Sequence, residues 1–194
     1  MKDLILFGDC KKTLSAFLPK SARMCVTSPP YYGLRDYGGE DKQIGQENTP
    51  EEFINNLVDV FKEVRNVLTD DGTLWVNLGD SYYNYRPGKG QSYPKQSVSK
   101  TKQDLPDKCN KRGNKLEGLK EKDLIGIPWL FAFAMRADGW YLRQDIIWHK
   151  PNPMPESVRD RCTKSHEYIF LFSKNKKYYY NNEAIKEPAK DWGT

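Results

Sequence analysis

Apolar positions along the chain fall into two kinds of run. Short, dense runs bounded by turn residues read as strands: "DLILFGD" stops at Gly8-Asp9, "RMCVTS" stops at Pro29-Pro30, and "TLWVNLGD" stops at Gly79-Asp80. "WYLRQDIIWHK" is a further strand, closed by Pro151 and Pro153. "HEYIFLFSK" and "KYYYNN" read as two strands of a hairpin turned at Lys174-Asn175-Lys176. The second kind of run has helical spacing. From residue 50 to 68, Phe53, Leu57, Phe61, Val64 and Leu68 recur at steps of three and four, which makes one apolar stripe. Thr49 and Glu52 form a capping box before it, Pro50 suits the first turn, and Asp70-Asp71-Gly72 stops it. Residues 128–137 predict a second helix closed by Asp138-Gly139, and "KKTLSAFL" a turn or two ended by Pro19.

The order is strand, helix, strand, helix, strand, helix, strand, hairpin. It predicts an α/β fold with a mostly parallel sheet, an antiparallel hairpin at one edge and helices making three layers. In such sheets ligands sit at the carboxyl ends of the strands. Gly8-Asp9, Ser28-Pro29-Pro30-Tyr31 and Gly79-Asp80 all fall at those ends, so their polar groups line up along one rim.

Length adds that residues 1–194 make a single domain with room for a proper core. No apolar run approaches the length that spans a bilayer, and the four-residue run before Gly8 is too short for a signal peptide, so the expected setting is cytoplasmic. Cysteines 10, 25, 109 and 162 form no Cys-x-x-Cys pair. Cys162 and His166 are spaced like half a zinc site without a second half, so free thiols and no metal are expected.

Charge changes the picture by its location. Between Arg86 and Lys122 stand eleven Lys or Arg against four acids, a local +7, whereas the whole chain is +5 and the remainder therefore −2. Residues 84–118 are also rich in Gly, Pro, Ser, Asn and Gln without apolar periodicity. A basic polar loop of that length is expected to contact a polyanion or to carry target recognition.

One stretch poses a chemical question. "CVTSPPYYGLRDYG" ends a strand on two prolines, which remove two ladder donors, where an ordinary turn would serve with less constraint. An exocyclic amino group of cytosine or adenine offers a use for the constraint. Its nitrogen lone pair is delocalised into the ring, and it attacks carbon only when acceptors around its two hydrogens draw the nitrogen towards tetrahedral. A proline carbonyl is a rigid acceptor, a hydroxyl before it is a second, and an aromatic ring can stack on a base turned out of its helix. Ser28, Pro29 and Tyr31 supply these three parts, and Pro30 stiffens the corner.

With "GDC" upstream and "LWVNLGD" downstream, "TSPPY" resembles the β-class amino-methyltransferases of DNA. The likeness extends through "IGQENTPEEFINNLVDVFKEVRNVLTDDGTLWVNLGDSY" and "DGWYLRQDIIWHKPNPMPESVRDRCTKSHEYIFLFSK", which read like bacterial and phage modification methylases. The resemblance implies a Rossmann-like sheet and methyl transfer from S-adenosylmethionine to cytosine N4, which serine at the first motif position favours, or adenine N6. It implies double-stranded DNA as partner. It makes Ser28, Pro29, Pro30 and Tyr31 the catalytic set and Asp9 the contact to the adenine of the donor.

The family also carries a Gly-rich Phe-x-Gly-x-Gly donor loop. Only Gly88-x-Gly90 has that spacing, and no strand precedes it. The expectation is a fold incomplete at its cofactor half: a partial enzyme whose C-terminal donor segment lies elsewhere, weak in donor binding by itself. A homodimer and a restriction partner go with that reading. A DNA-binding relative without catalysis, and a methyltransferase for RNA or small molecules, remain open alternatives.

Overall fold

The computed structural model describes residues 3–34, 43–83 and 116–188. In chain order the elements are α1 (Cys10–Ser15), β1 (Ala22–Thr27), α2 (Pro50–Val67), β2 (Leu68–Leu78), α3 (Ile127–Ala137), β3 (Tyr141–His149) and β4 (His166–Ser173), then a 3-10 turn at Glu183–Ile185.

α2 forms where the stripe and the caps agree. Thr49 Oγ1 accepts from Glu52 N at 3.1 Å, and Glu52 Oε2 reaches back to Asn48 N, also at 3.1 Å. The stripe Phe53, Leu57, Phe61 and Val64 is buried, and Leu68 leaves the helix already extended, with its side chain in the core. On β2, Leu74, Val76 and Leu78 face this stripe, and on β4 Phe170 and Phe172 extend the same layer. α3 closes it with Phe131 and Met135, and Phe131 meets both Phe61 and Phe172 ring to ring.

α3 starts in an unusual way. Its N-cap is Gly126, at φ +84°, which has no side chain to bind the first free amides. Asp80, at the far end of β2, does it instead. Its Oδ1 accepts from Gly126 N and Ile127 N, both at 3.0 Å, and from Ser81 N at 2.9 Å. One carboxylate therefore ties the end of β2 to the start of α3. Asp80→Ala is expected to lower unfolding stability by about 1–3 kcal/mol, read as a shift of the urea midpoint, with Asp80→Asn intermediate.

The sheet has four strands in the order β1-β2-β4-β3. β1 and β2 are parallel, with α2 between them in the chain, while β4 runs antiparallel to both β2 and β3. The α/β class and the antiparallel pair at one edge are as expected. The details differ in four ways. One of three pairings is parallel, where a parallel majority was expected: β3 follows β2 through α3 and runs in the same direction, but the antiparallel β4 lies between them. α2 and α3 cover one face of the sheet, and among the described residues no helix covers the other. The edge pair is β3 with β4, not β4 with residues 177–182. β4 already has a neighbour on each side, so those residues have no edge to join. They pass as irregular chain, with Tyr179 N donating to Asp71 O at 3.0 Å.

The fourth difference is at the start. Residues 4–7 form no strand, and Phe7 is 91% exposed. A buried strand needs ladder partners and cover on both faces. The outer edge of β1 has no partner among the described residues, and Met24 and Val26 beside it are exposed. The basic segment 84–118 lies outside the described residues except for its last three. No helix among the described residues is long and apolar enough to cross a membrane, and none of them gather as three or more His, Cys, Asp or Glu.

Candidate active site

β1 stops at Thr27 because Pro29 and Pro30 carry no N–H for the ladder. β1, β2 and β3 run in the same direction and β4 runs against them, so three strand C-termini and the N-terminus of β4 share one rim. On that rim Ser28, Pro29, Pro30, Tyr31 and Leu34 line a cleft of about 420 Å³ together with Lys150 and Glu167. That volume lies in the range of ligand pockets. Lys150 follows β3 directly, and Glu167 is the second residue of β4.

Tyr31 is the hinge of the arrangement. Its ring lies flat against the backbone of Gly79: a Cβ there would stand 2.5 Å from Tyr31 Cε2 and 2.9 Å from Cδ2. No side chain other than hydrogen fits between the end of β2 and this ring. The hydroxyl points inward, 2.9 Å from Asn77 Oδ1 and 3.1 Å from Glu167 Oε2. Burial raises the Tyr31 phenol above its ordinary value; the Ser28 hydrogen bond opposes it, and the charge and hydrogen bond of Glu167 add to the rise.

Glu167 itself is paired with Lys150, whose ammonium contacts Oε1. Burial works to raise the Glu167 carboxyl. The hydrogen bond and charge of Lys150, joined by hydrogen bonds from Tyr31 and Asn77, outweigh it and hold the group below the usual glutamate range. Glu167 is thus an anion at neutral pH. Asn77 is fixed from the other side by Nδ2 donating to Tyr168 O at 3.2 Å, which leaves its Oδ1 facing Tyr31 and Ser28.

Ser28 is held loosely. Its Oγ lies 3.5 Å from both Tyr31 Oη and Asn77 Oδ1, longer than a normal O–H···O bond, and the residue is exposed to the cleft. Tyr32, the neighbouring ring, has a different place. It packs on Phe53 with ring centroids 5.4 Å apart, and its hydroxyl donates to Asn48 O at 3.3 Å. Burial, followed by the charges of Glu51, Glu47 and Glu52, pushes its phenol up to about 12. It anchors the corner to the start of α2.

The structure therefore gathers Ser28, Pro29, Pro30 and Tyr31 at one cleft and leaves Asp9 out of its lining. Asp9 is exposed and caps α1, with Oδ1 accepting from Lys12 N at 3.0 Å. Three residues of the site were missed by sequence reasoning: Asn77, Lys150 and Glu167. Asn77 had a signal, since it is a polar residue between Val76 and Leu78, and Glu167 a weaker one, as an acid at the head of an apolar run. Chemically the cleft presents a hydroxyl, a carboxylate, an ammonium and an aromatic ring within one wall. Such a wall suits a flat, polar, hydrogen-bonding ring.

Comparison with known proteins gives a consistent picture. The family described as DNA methylase matches residues 22–194. The Type II methyltransferase M.SmaI of Serratia marcescens is 52% identical over 192 residues, covering 96% of this chain and 61% of that protein. M.Cfr9I of Citrobacter freundii is 52% identical over 186 residues, 96% of this chain and 59% of that one. The chain thus spans about three fifths of the length of these relatives. Among solved structures, the cytosine-N4-specific PvuII DNA methyltransferase matches with a TM-score of 0.60 at 17% identity, over 92% of this chain and 51% of that one. TTHA0409 of Thermus thermophilus, solved with S-adenosyl-L-methionine, matches with a TM-score of 0.57 at 21% identity, over 91% and 55%. These two likenesses place the fold among the Rossmann-like methyltransferases.

Proposed function

This chain belongs to the DNA methylase family, and from that premise we propose that it carries the base-handling part of an S-adenosylmethionine-dependent DNA amino-methyltransferase, with cytosine N4 favoured over adenine N6. The observation that carries the proposal is the convergence of Ser28, Pro29, Pro30 and Tyr31 on one cleft at the sheet rim, which Glu167 and Lys150 also line. In this reading Ser28 Oγ and the Pro29 carbonyl accept from the two hydrogens of the target amino group. The Tyr31 ring bears on the base after it is turned out of the duplex, and Pro30 keeps the corner stiff. The wall acts by holding acceptors in place before the base arrives, so no reorganisation is needed at the moment of reaction.

S-adenosylmethionine supplies the methyl group when bound. Asp9, the one residue assigned to its adenine, is exposed, and its carboxylate is used in capping α1. Because the relatives run to a greater length, we read the donor loop as supplied by a segment outside these 194 residues, C-terminal in the complete enzyme. Residues 1–194 are then one partial methyltransferase domain, acting on double-stranded DNA in a bacterial or phage-infected cytoplasm. Residues 84–118 meet phosphates or help to read sequence. A homodimer and a restriction-modification setting belong to the same reading.

The test is product identity. The coding sequence completed to the length of the relatives is expressed in a methylation-free host, and its DNA is digested to nucleosides for mass spectrometry. N4-methylcytosine is the expected product. N6-methyladenine would change the target base, and the absence of both products would overturn the proposal.

A further inference from the structure

We propose that Glu167 sets the hydrogen-bond polarity of Ser28, and thereby makes the cleft select bases that carry an amino group over bases that carry an oxo group at the same position. The proposal rests on the base-handling reading and is tested separately from it. It follows from counting protons. Tyr31 Oη has one hydrogen and two close acceptors, Asn77 Oδ1 at 2.9 Å and Glu167 Oε2 at 3.1 Å. Asn77 cannot turn to become a donor there, because its Nδ2 is committed to Tyr168 O. Glu167 cannot donate either, because Lys150 keeps it ionised.

The phenol proton goes to the anion, since hydrogen bonds to charged acceptors are roughly twice as strong as neutral ones. That leaves Asn77 Oδ1 short of a proton, and the phenol oxygen has a free lone pair. Both face Ser28 Oγ at 3.5 Å. The serine hydroxyl hydrogen is drawn inward by two acceptors, so the serine lone pairs are turned to the cleft. An incoming N–H then meets an acceptor, and an incoming C=O meets one as well and is repelled. Ser28 alone has no such preference, because a free hydroxyl serves equally as donor or acceptor. Glu167 is here a positioning residue, acting through Tyr31 and Asn77.

The Glu167→Gln variant reverses the logic without changing size. Lys150 holds the amide oxygen, the amide NH2 faces Tyr31, and the phenol proton moves to Asn77. The inward acceptors are then occupied, and the Ser28 hydroxyl is free to donate outward. The experiment uses the 194-residue chain with 13Cζ-labelled tyrosine, titrated by NMR with deoxycytidine and with deoxyuridine. Wild type is expected to bind deoxycytidine about tenfold tighter, the change expected of one hydrogen bond made instead of opposed. In Glu167→Gln that ratio is expected to fall to about one or to invert, while Glu167→Asp keeps most of it. The Tyr31 titration, above the ordinary tyrosine range in wild type, is expected to drop in Glu167→Gln. The backbone spectrum confirms that each variant is folded.

A wild-type chain that binds neither nucleoside, or both equally, overturns the proposal. So does a Glu167→Gln variant that keeps both the wild-type ratio and the wild-type Tyr31 titration. If the amino preference follows Glu167 while the completed enzyme methylates no base, the polarity switch stands and the methyltransferase reading falls.

Discussion

In the completed enzyme, Ser28→Ala is expected to slow methyl transfer by about 10²- to 10³-fold while duplex binding changes little. The magnitude is that of removing one preorganised hydrogen-bonding group from a site where charge develops. Three features of the site make the loss specific. Ser28 is exposed at the cleft and its hydroxyl makes no hydrogen bond shorter than 3.5 Å, so its removal leaves the fold untouched. Tyr31 keeps both of its inward partners without it. The remaining acceptor in the proposed set is the carbonyl of Pro29, which can engage one of the two amino hydrogens but not both. The measurement is single-turnover methylation beside gel-shift affinity at fixed salt. Equal losses in rate and affinity would mean that Ser28 binds DNA generally, and normal methylation would mean that the site is misplaced.

Gly79→Ala is the second large effect, and it acts from outside the cleft. The added methyl would stand 2.5 Å from the Tyr31 ring, well inside contact distance, and the ring cannot yield at its far end because its hydroxyl is held by Asn77 and Glu167. The ring must leave its place, and the two hydrogen bonds go with it. Engagement of the turned-out base is expected to weaken by about 1–3 kcal/mol, as it would on Tyr31→Ala. Stability is expected to fall by about 1–3 kcal/mol from overpacking. Affinity for duplexes that carry an abasic site in place of the target is expected to stay unchanged, since those complexes never use the ring. A variant with normal base engagement and a displaced Tyr31 resonance would separate the ring from recognition.

The sequence was legible where one local rule acted without competition. α2 could be placed to within a residue because the cap at Thr49, the proline at 50 and the stripe from Phe53 to Val64 all agree. Two prolines after a strand mark Ser28 to Tyr31 as a stiff corner at a strand end, and that corner lines the cleft. Residues 4–7 were misread because an apolar run says that a segment wants cover and not whether cover is there. Residues 177–182 were misread because β-rich composition does not reveal that both edges of β4 are taken. Glu167 and Lys150 stand far from Ser28 in the chain, and only the strand order β2-β4-β3 brings their ends to the rim beside it. Asp80 shares the strand-end rim with Ser28 to Tyr31, and the three amide bonds it accepts assign it to the cap of α3.

The flank of β1, bare among the described residues, has a practical outcome. Its outward amides and carbonyls are a ready template, and Met24 and Val26 on the strand itself are exposed apolar side chains. A span of this length handled alone at high concentration is prone to recruit extended segments from its neighbours and to clump. Solubility, more than melting temperature, then decides how it can be studied, and a lysine in place of Val26 is the economical remedy.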